Sequence, residues 1–162
     1  MGKGLLHGAL ERLTRGIQHL TSLLLAVMTG LITWQVFARY ALNRPPSWTE
    51  EIALYMMVWL GLLGASLGVR EGIHIGVEMF VARLPREAQQ AIERLVHLTI
   101  GAFGFHLIWE GIALCALAWE QTSPATGIPV GWVYTVLPLS GLLILLYSVE
   151  RLAGAAPSPF AG

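Results

Sequence analysis

Glu110 is the residue whose type and setting first suggest chemistry, because no other Asp, Glu, Lys or Arg lies between Leu95 and Trp119. An acid at the centre of a membrane helix costs about 2.5–3.5 kcal/mol on insertion scales, so it must be neutral, paired or turned toward protein. His106 precedes it by four residues, about 40° around a helix and within reach. Three readings stand: a proton-coupling carboxylate, a local His106–Glu110 pair, or a hydrogen bond into a partner subunit. No second acid converges on Glu110, which weighs against the first. The histidines also raise haem ligation, since membrane anchors can hold haem between two helix-borne imidazoles. His97 and His106 face opposite ways, about 180° apart on one helix, and cannot share an iron. His19 and His97 fall on matching halves of two apolar segments, so that pair stays geometrically open. The single cysteine, Cys115, sits beside Leu114 and Ala116, where it reads as a small packing residue. There is no G-x-S-x-G, phosphate loop, H-E-x-x-H or zinc spacing. No cofactor and no enzymatic activity are expected.

The elements that must position these residues are marked by where charge is missing. The chain has 162 residues, 55% of them apolar, 12% charged, with no Asp and a net charge of zero; mean hydropathy is +0.63. Soluble domains carry about a quarter charged residues, so a water-facing surface of the ordinary kind is excluded. No basic block exists to track a phosphate backbone, which excludes nucleic acid as a partner. Charge is expelled from residues 16–38, 52–69, 95–119 (Glu110 aside) and 121–149. The cluster Ser123-Pro124-Ala125-Thr126-Gly127-Ile128-Pro129 marks a loop and leaves 130–149 as the last apolar stretch. Each stretch approaches the roughly 20 residues that a spanning helix needs. The expectation is an all-α integral membrane protein with four transmembrane helices in a single domain over 1–162. The first stretch is too long for a signal peptide and no A-x-A-like site follows it, so it should stay as an anchor.

Orientation follows from Lys and Arg in the connections. Lys3, Arg12, Arg15, Arg70, Arg83, Arg86, Arg94 and Arg151 fall on one side, and only Arg39 and Arg44 on the other. Both termini are therefore expected in the cytoplasm. Tyr40, Trp48, Trp119, Trp132 and Tyr134 then sit at the outer headgroup level, and Tyr147 lies near the inner end of the fourth span. Two segments read as interfacial amphipathic helices. Residues 5–15 lead into the first span with Leu6, Leu10 and Leu13 at helical spacing, a pattern that Ile17 continues. Residues 73–84 alternate as a strand would, but an isolated strand at a membrane has no partner, so a surface helix is expected. Pro85 then suits the first turn of the next helix.

The outer loop around Arg39, Arg44, Trp48, Glu50 and Glu51 is dense in charge. Ser47 and Glu50 have capping-box spacing, and either arginine could pair with the acids. Trp and Arg beside a membrane also make strong docking anchors. In the second span Gly61, Gly64, Ala65 and Gly68 form a stripe on which another helix can approach closely, in this chain or in another. Arg70-Glu71-Gly72 can end that helix with a left-handed glycine cap.

Together these segments resemble the small integral membrane subunit of tripartite ATP-independent periplasmic (TRAP) transporters, over about Phe37 to Leu142. The residues that carry the likeness are Arg39-Tyr40-Ala41-Leu42-Asn43, Trp48-Thr49-Glu50-Glu51, Trp59 and Gly64-Ala65. They continue with Arg70-Glu71-Gly72-Ile73-His74-Ile75-Gly76-Val77-Glu78, Leu84-Pro85, Ser123-Pro124-Ala125, Gly127-Ile128-Pro129, Trp132, Tyr134 and Leu137-Pro138-Leu139. Glu78 departs from the family, which often has Asp there, and keeps the charge. The resemblance implies a bacterial inner-membrane uptake system. In such systems a periplasmic binding protein delivers an organic acid to a large multi-span subunit, which transports it by an ion-driven elevator movement. The small subunit packs beside the large one and does not itself transport. Arg39, Trp48, Glu50, Glu51, Trp59, Arg70 and His74 become the residues expected to dock partners or hold the structure, in contact also with membrane phospholipids. Two other classes compete: a small proton-coupled carrier using Glu110, and a haem-bearing anchor.

Overall fold

Helix is favoured throughout because hydrocarbon offers no partner to an open backbone group. The computed structural model describes residues 2–44, 46–72 and 84–153, with the side chains of the first few residues excepted. These form α1 (Gly2–Ala41), α2 (Ser47–Glu71), α3 (Arg86–Ala118), the single turn α4 (Gly131–Tyr134) and α5 (Val136–Leu152). Four helical segments are long and apolar enough to cross a membrane, the fourth being α4 and α5 together over Gly131–Leu152. The surface helix expected over 73–84, and His74 with it, falls outside the described residues apart from Leu84.

The segment expected as an interfacial helix is continuous with the first span: α1 runs 40 residues without a break. At 1.5 Å per residue it is about 60 Å long, roughly twice the hydrocarbon thickness. α2 begins at Pro46, extended at φ −72° and ψ 125°, with no side-chain cap bond. The capping box expected from Ser47 and Glu50 is therefore absent. Ser47 already lies inside the helix, one residue too far along for its hydroxyl to serve as cap. Thr49 instead donates its hydroxyl back to the Pro46 carbonyl at 2.7 Å. At the other end Gly72 takes the left-handed conformation (φ 68°) and its N–H bonds the Gly68 carbonyl, as the Arg-Glu-Gly sequence suggests. The last span is broken at Thr135, between α4 and α5. Pro138 has no N–H to offer the Tyr134 carbonyl four residues earlier, so the helix cannot run straight through.

α5 is the centre of the molecule: it packs against α3 along its length and against α2 on another side, while α1 lies on α2. The α3–α5 seam is made by glycine. Built on Gly141, a Cβ would stand 2.7 Å from the Gly104 carbonyl oxygen; on Gly111 it would stand 2.8 Å from Pro138. Backbone touches backbone there, a packing in which only small residues fit. Leu143, Val136 and Tyr147 of α5 meet Leu63 of α2 and Ile17 of α1 in the buried core, while Ile144 is buried against Gly104 of α3. The apolar faces left outside, Leu23, Leu25, Phe37, Leu98 and Phe105 among them, are exposed, as suits contact with lipid.

Candidate functional site

Polar side chains gather at the two ends of this array. At the end where α1 begins and α5 finishes, α1, α2 and α5 are tied together. His7 Nδ1 and Glu150 Oε1 are 2.7 Å apart, which brings the start of α1 to the end of α5. Glu150 is buried, and His7 also lies 3.4 Å from Glu11, itself 3.5 Å from Arg15. Thr14 donates to the Leu10 carbonyl at 2.8 Å, so Tyr147 donates its hydroxyl to Thr14 at 2.9 Å. Arg70 donates to the same Leu10 carbonyl at 2.6 Å and stands 5.4 Å over the Tyr147 ring. Arg151 in turn donates to the Arg70 carbonyl at 2.8 Å. Tyr147 is fully buried within this knot, near the end of α5. Arg70 and Trp59 likewise serve within the chain, Trp59 by packing on the core.

At the opposite end, Glu51 clasps the connection between α3 and α4. Its carboxylate accepts the Ser123 hydroxyl, the Tyr55 hydroxyl at 2.6 Å and the Ala125 N–H at 3.1 Å. Three donors to one carboxylate stabilise its ionised form. Ser123 also accepts the Thr126 N–H at 3.1 Å, and Gly127 turns the chain at φ 69°. An isolated bridge between Thr122 and Pro129 closes the loop. Neither Arg39 nor Arg44 is ion-paired with Glu50 or Glu51 among the described residues. Arg39, Trp48 and Glu50 stay exposed, as does Tyr40; the rings of Trp119 and Trp132 meet at a tilt of 38° with centroids 5.7 Å apart. Replacing Glu51 with Ala is expected to speed hydrogen exchange at the Ala125 amide by about ten-fold or more, since its acceptor is lost. Exchange mass spectrometry of the detergent-purified chain reads this; unchanged exchange would mean that the loop holds itself.

Between the ends, the structure separates the residues that the spacing joined. His106 and Glu110 are both exposed and form no pair with each other or with any described side chain. The local His106–Glu110 pair is therefore not formed. Gly61, Gly64 and Gly68 have nothing within 4 Å of an added Cβ, and Ala65 is exposed, so that stripe is unused within the chain. His19 and His97 lie on α1 and α3, which do not pack substantially on each other. Among the described residues, no three His, Cys or acidic side chains gather as a metal site would require. The sequence reading missed the parts of Ser123, Thr14, Tyr147 and Glu150, all of them long-range partners. The one local signal was the Tyr147–Glu150 spacing of three, which puts an acid and a phenol on one helix face.

Among the described residues this is an all-helical chain with four segments long and apolar enough to cross a membrane, the class of polytopic membrane proteins. Comparison with known proteins gives the family. The model of the DctQ component of tripartite ATP-independent periplasmic transporters matches residues 28–157. A Haemophilus influenzae protein assigned to the TRAP transporter small permease proteins is 30% identical, over 86% of this chain and 87% of its own. The sialic acid TRAP transporter small permease protein SiaQ of Vibrio cholerae is 22% identical, over 88% and 83%. The isethionate TRAP transporter permease protein DctMQ of Oleidesulfovibrio alaskensis is 29% identical over 76% of this chain but only 21% of its own. The chain belongs to the DctQ family of TRAP transporter small membrane subunits. It is a multi-pass inner-membrane component of a transporter and not an enzyme.

Proposed function

We propose that this subunit supports a large TRAP membrane subunit in the cation-coupled uptake of an organic acid that a periplasmic binding protein delivers. The observation that carries the reading is the match to DctMQ, in which a segment like this chain makes up about a fifth of one longer permease. Small and large parts that occur in one polypeptide are parts of one machine. The substrate class rests on chemistry: the relatives named for sialic acid, isethionate and C4-dicarboxylate all concern small organic anions.

With eight basic residues on the side of the termini and two on the other, both termini are cytoplasmic. The exposed Arg39, Trp48 and Glu50 then face the periplasm, where they serve as docking anchors for the binding protein. The Glu51 clasp keeps the neighbouring loop in shape for that contact. Phospholipid covers the outward apolar faces. Glu110 and three spanning histidines are too few polar groups to bind and couple a charged solute, and transport belongs to the large subunit.

Affinity capture tests this reading. A tagged copy expressed with the large subunit from its own genomic neighbourhood should bring that subunit down in mild detergent at near-equal stoichiometry. Capture of this chain alone, with the large subunit fully active without it, would contradict the proposal.

A further inference from the structure

Glu110 is held in a position that the isolated chain leaves incomplete. The face of α3 that meets α5 carries the buried Gly101, Gly104, Gly111 and Ala118. His106 and Glu110 fall on the opposite side of the helix and are exposed. Glu110 is eight residues from the Ala118 end, about 12 Å at 1.5 Å per residue, and about 24 Å from Arg94. Its side chain cannot reach water at either end of the span. Intramembrane acids face protein or water and pair with a donor, and no described side chain pairs with this one.

The surface around it is shaped for a helix. Ala102 and Ala113 lie on the same edge of α3 and are exposed, and small residues beside a polar one let a second helix come close enough to hydrogen-bond. The free glycine stripe of α2 is a competing face, but it leaves no polar group unsatisfied and so costs little when covered by lipid. The unpaired acid on α3 decides between the two faces.

We propose that the α3 edge at His106 and Glu110 is where a transmembrane helix of the large subunit packs, placing a hydrogen-bond-donating side chain on Glu110. This rests on the reading that the chain supports such a subunit. The occupant is that subunit because a unit like this one is built into a single longer permease in DctMQ. A second copy of this chain would bring a second acid to the same edge together with His106, and a homodimer adduct from position 113 separates that case.

Site-specific photo-crosslinking in the co-purified complex tests the assignment. A photoreactive residue introduced at Ala113 should give an adduct with the large subunit, and one introduced at Ala65 on α2 should not. Glu110→Leu should weaken capture of the large subunit roughly five- to thirty-fold, the equivalent of about 1–2 kcal/mol for an interhelical bond. Glu110→Gln, which keeps an acceptor, should retain most of it. An adduct from position 65 and none from 113, or a homodimer adduct from 113, overturns the proposal while the wild-type complex still co-purifies. Undiminished capture by Glu110→Leu overturns it as well. Failure of the wild-type chain to capture the large subunit is the distinct result that removes the functional reading itself.

Discussion

Gly141→Leu is expected to lower the thermal midpoint of the detergent-purified chain by about 10 °C, or to prevent recovery of monodisperse protein. The reason is contact between backbones. A Cβ on residue 141 would lie 2.7 Å from the Gly104 carbonyl and 3.0 Å from the backbone N of Ile108. Backbone atoms inside a helix cannot step aside as the tip of a side chain can, so α3 and α5 must separate. Even Gly141→Ala should destabilise, although alanine alone favours a helix over glycine by about 0.8–1 kcal/mol. Gly64→Ala makes the comparison sharp. An added Cβ there meets nothing within 4 Å, so only the intrinsic helix gain remains and the isolated chain should be unchanged or slightly more stable. Equal effects at both positions would show that the α3–α5 seam is not the close contact described.

Tyr147→Ala is expected to cost about 3–5 kcal/mol, the range for emptying a buried aromatic position. The ring is fully buried where α1, α2 and α5 meet, under the Arg70 guanidinium and bonded to Thr14. Its removal opens a cavity and deprives the cation of its aromatic face together. Tyr147→Phe isolates the hydroxyl and should cost only about 1 kcal/mol, because Thr14 keeps its bond to the Leu10 carbonyl. Thermal melts of the two variants read the difference. A Phe variant as unstable as the Ala variant would place the energy in the hydrogen bond and not in the packed ring.

The fold was legible because charge is expelled from four stretches, and that exclusion is a local property of the chain. Gly72 as a helix end could be read for the same reason: a left-handed cap follows from the residue at the position. The capping box could not, since moving the helix start by one residue puts Ser47 inside the helix and removes the box. What pairs with what was legible least. Glu51 finds Ser123 across 72 residues and His7 finds Glu150 across 143, and no periodicity encodes such partners. The glycines divide in the same way. Gly61, Gly64 and Gly68 have the recognisable spacing, yet the seam inside the chain uses Gly104, Gly111 and Gly141, which are spread over two helices. Glu110 stood out in the sequence as the one acid within a span, and the structure sharpened its meaning by leaving it outward and unpaired.

The central claim is that this chain supports transport without performing it, and reconstitution tests that most directly. Proteoliposomes holding this chain with the large subunit, given a loaded binding protein and an inward cation gradient, should accumulate the organic acid. Vesicles holding this chain alone should accumulate none. Uptake by the chain alone, abolished by Glu110→Gln, would contradict the account and make Glu110 a coupling carboxylate.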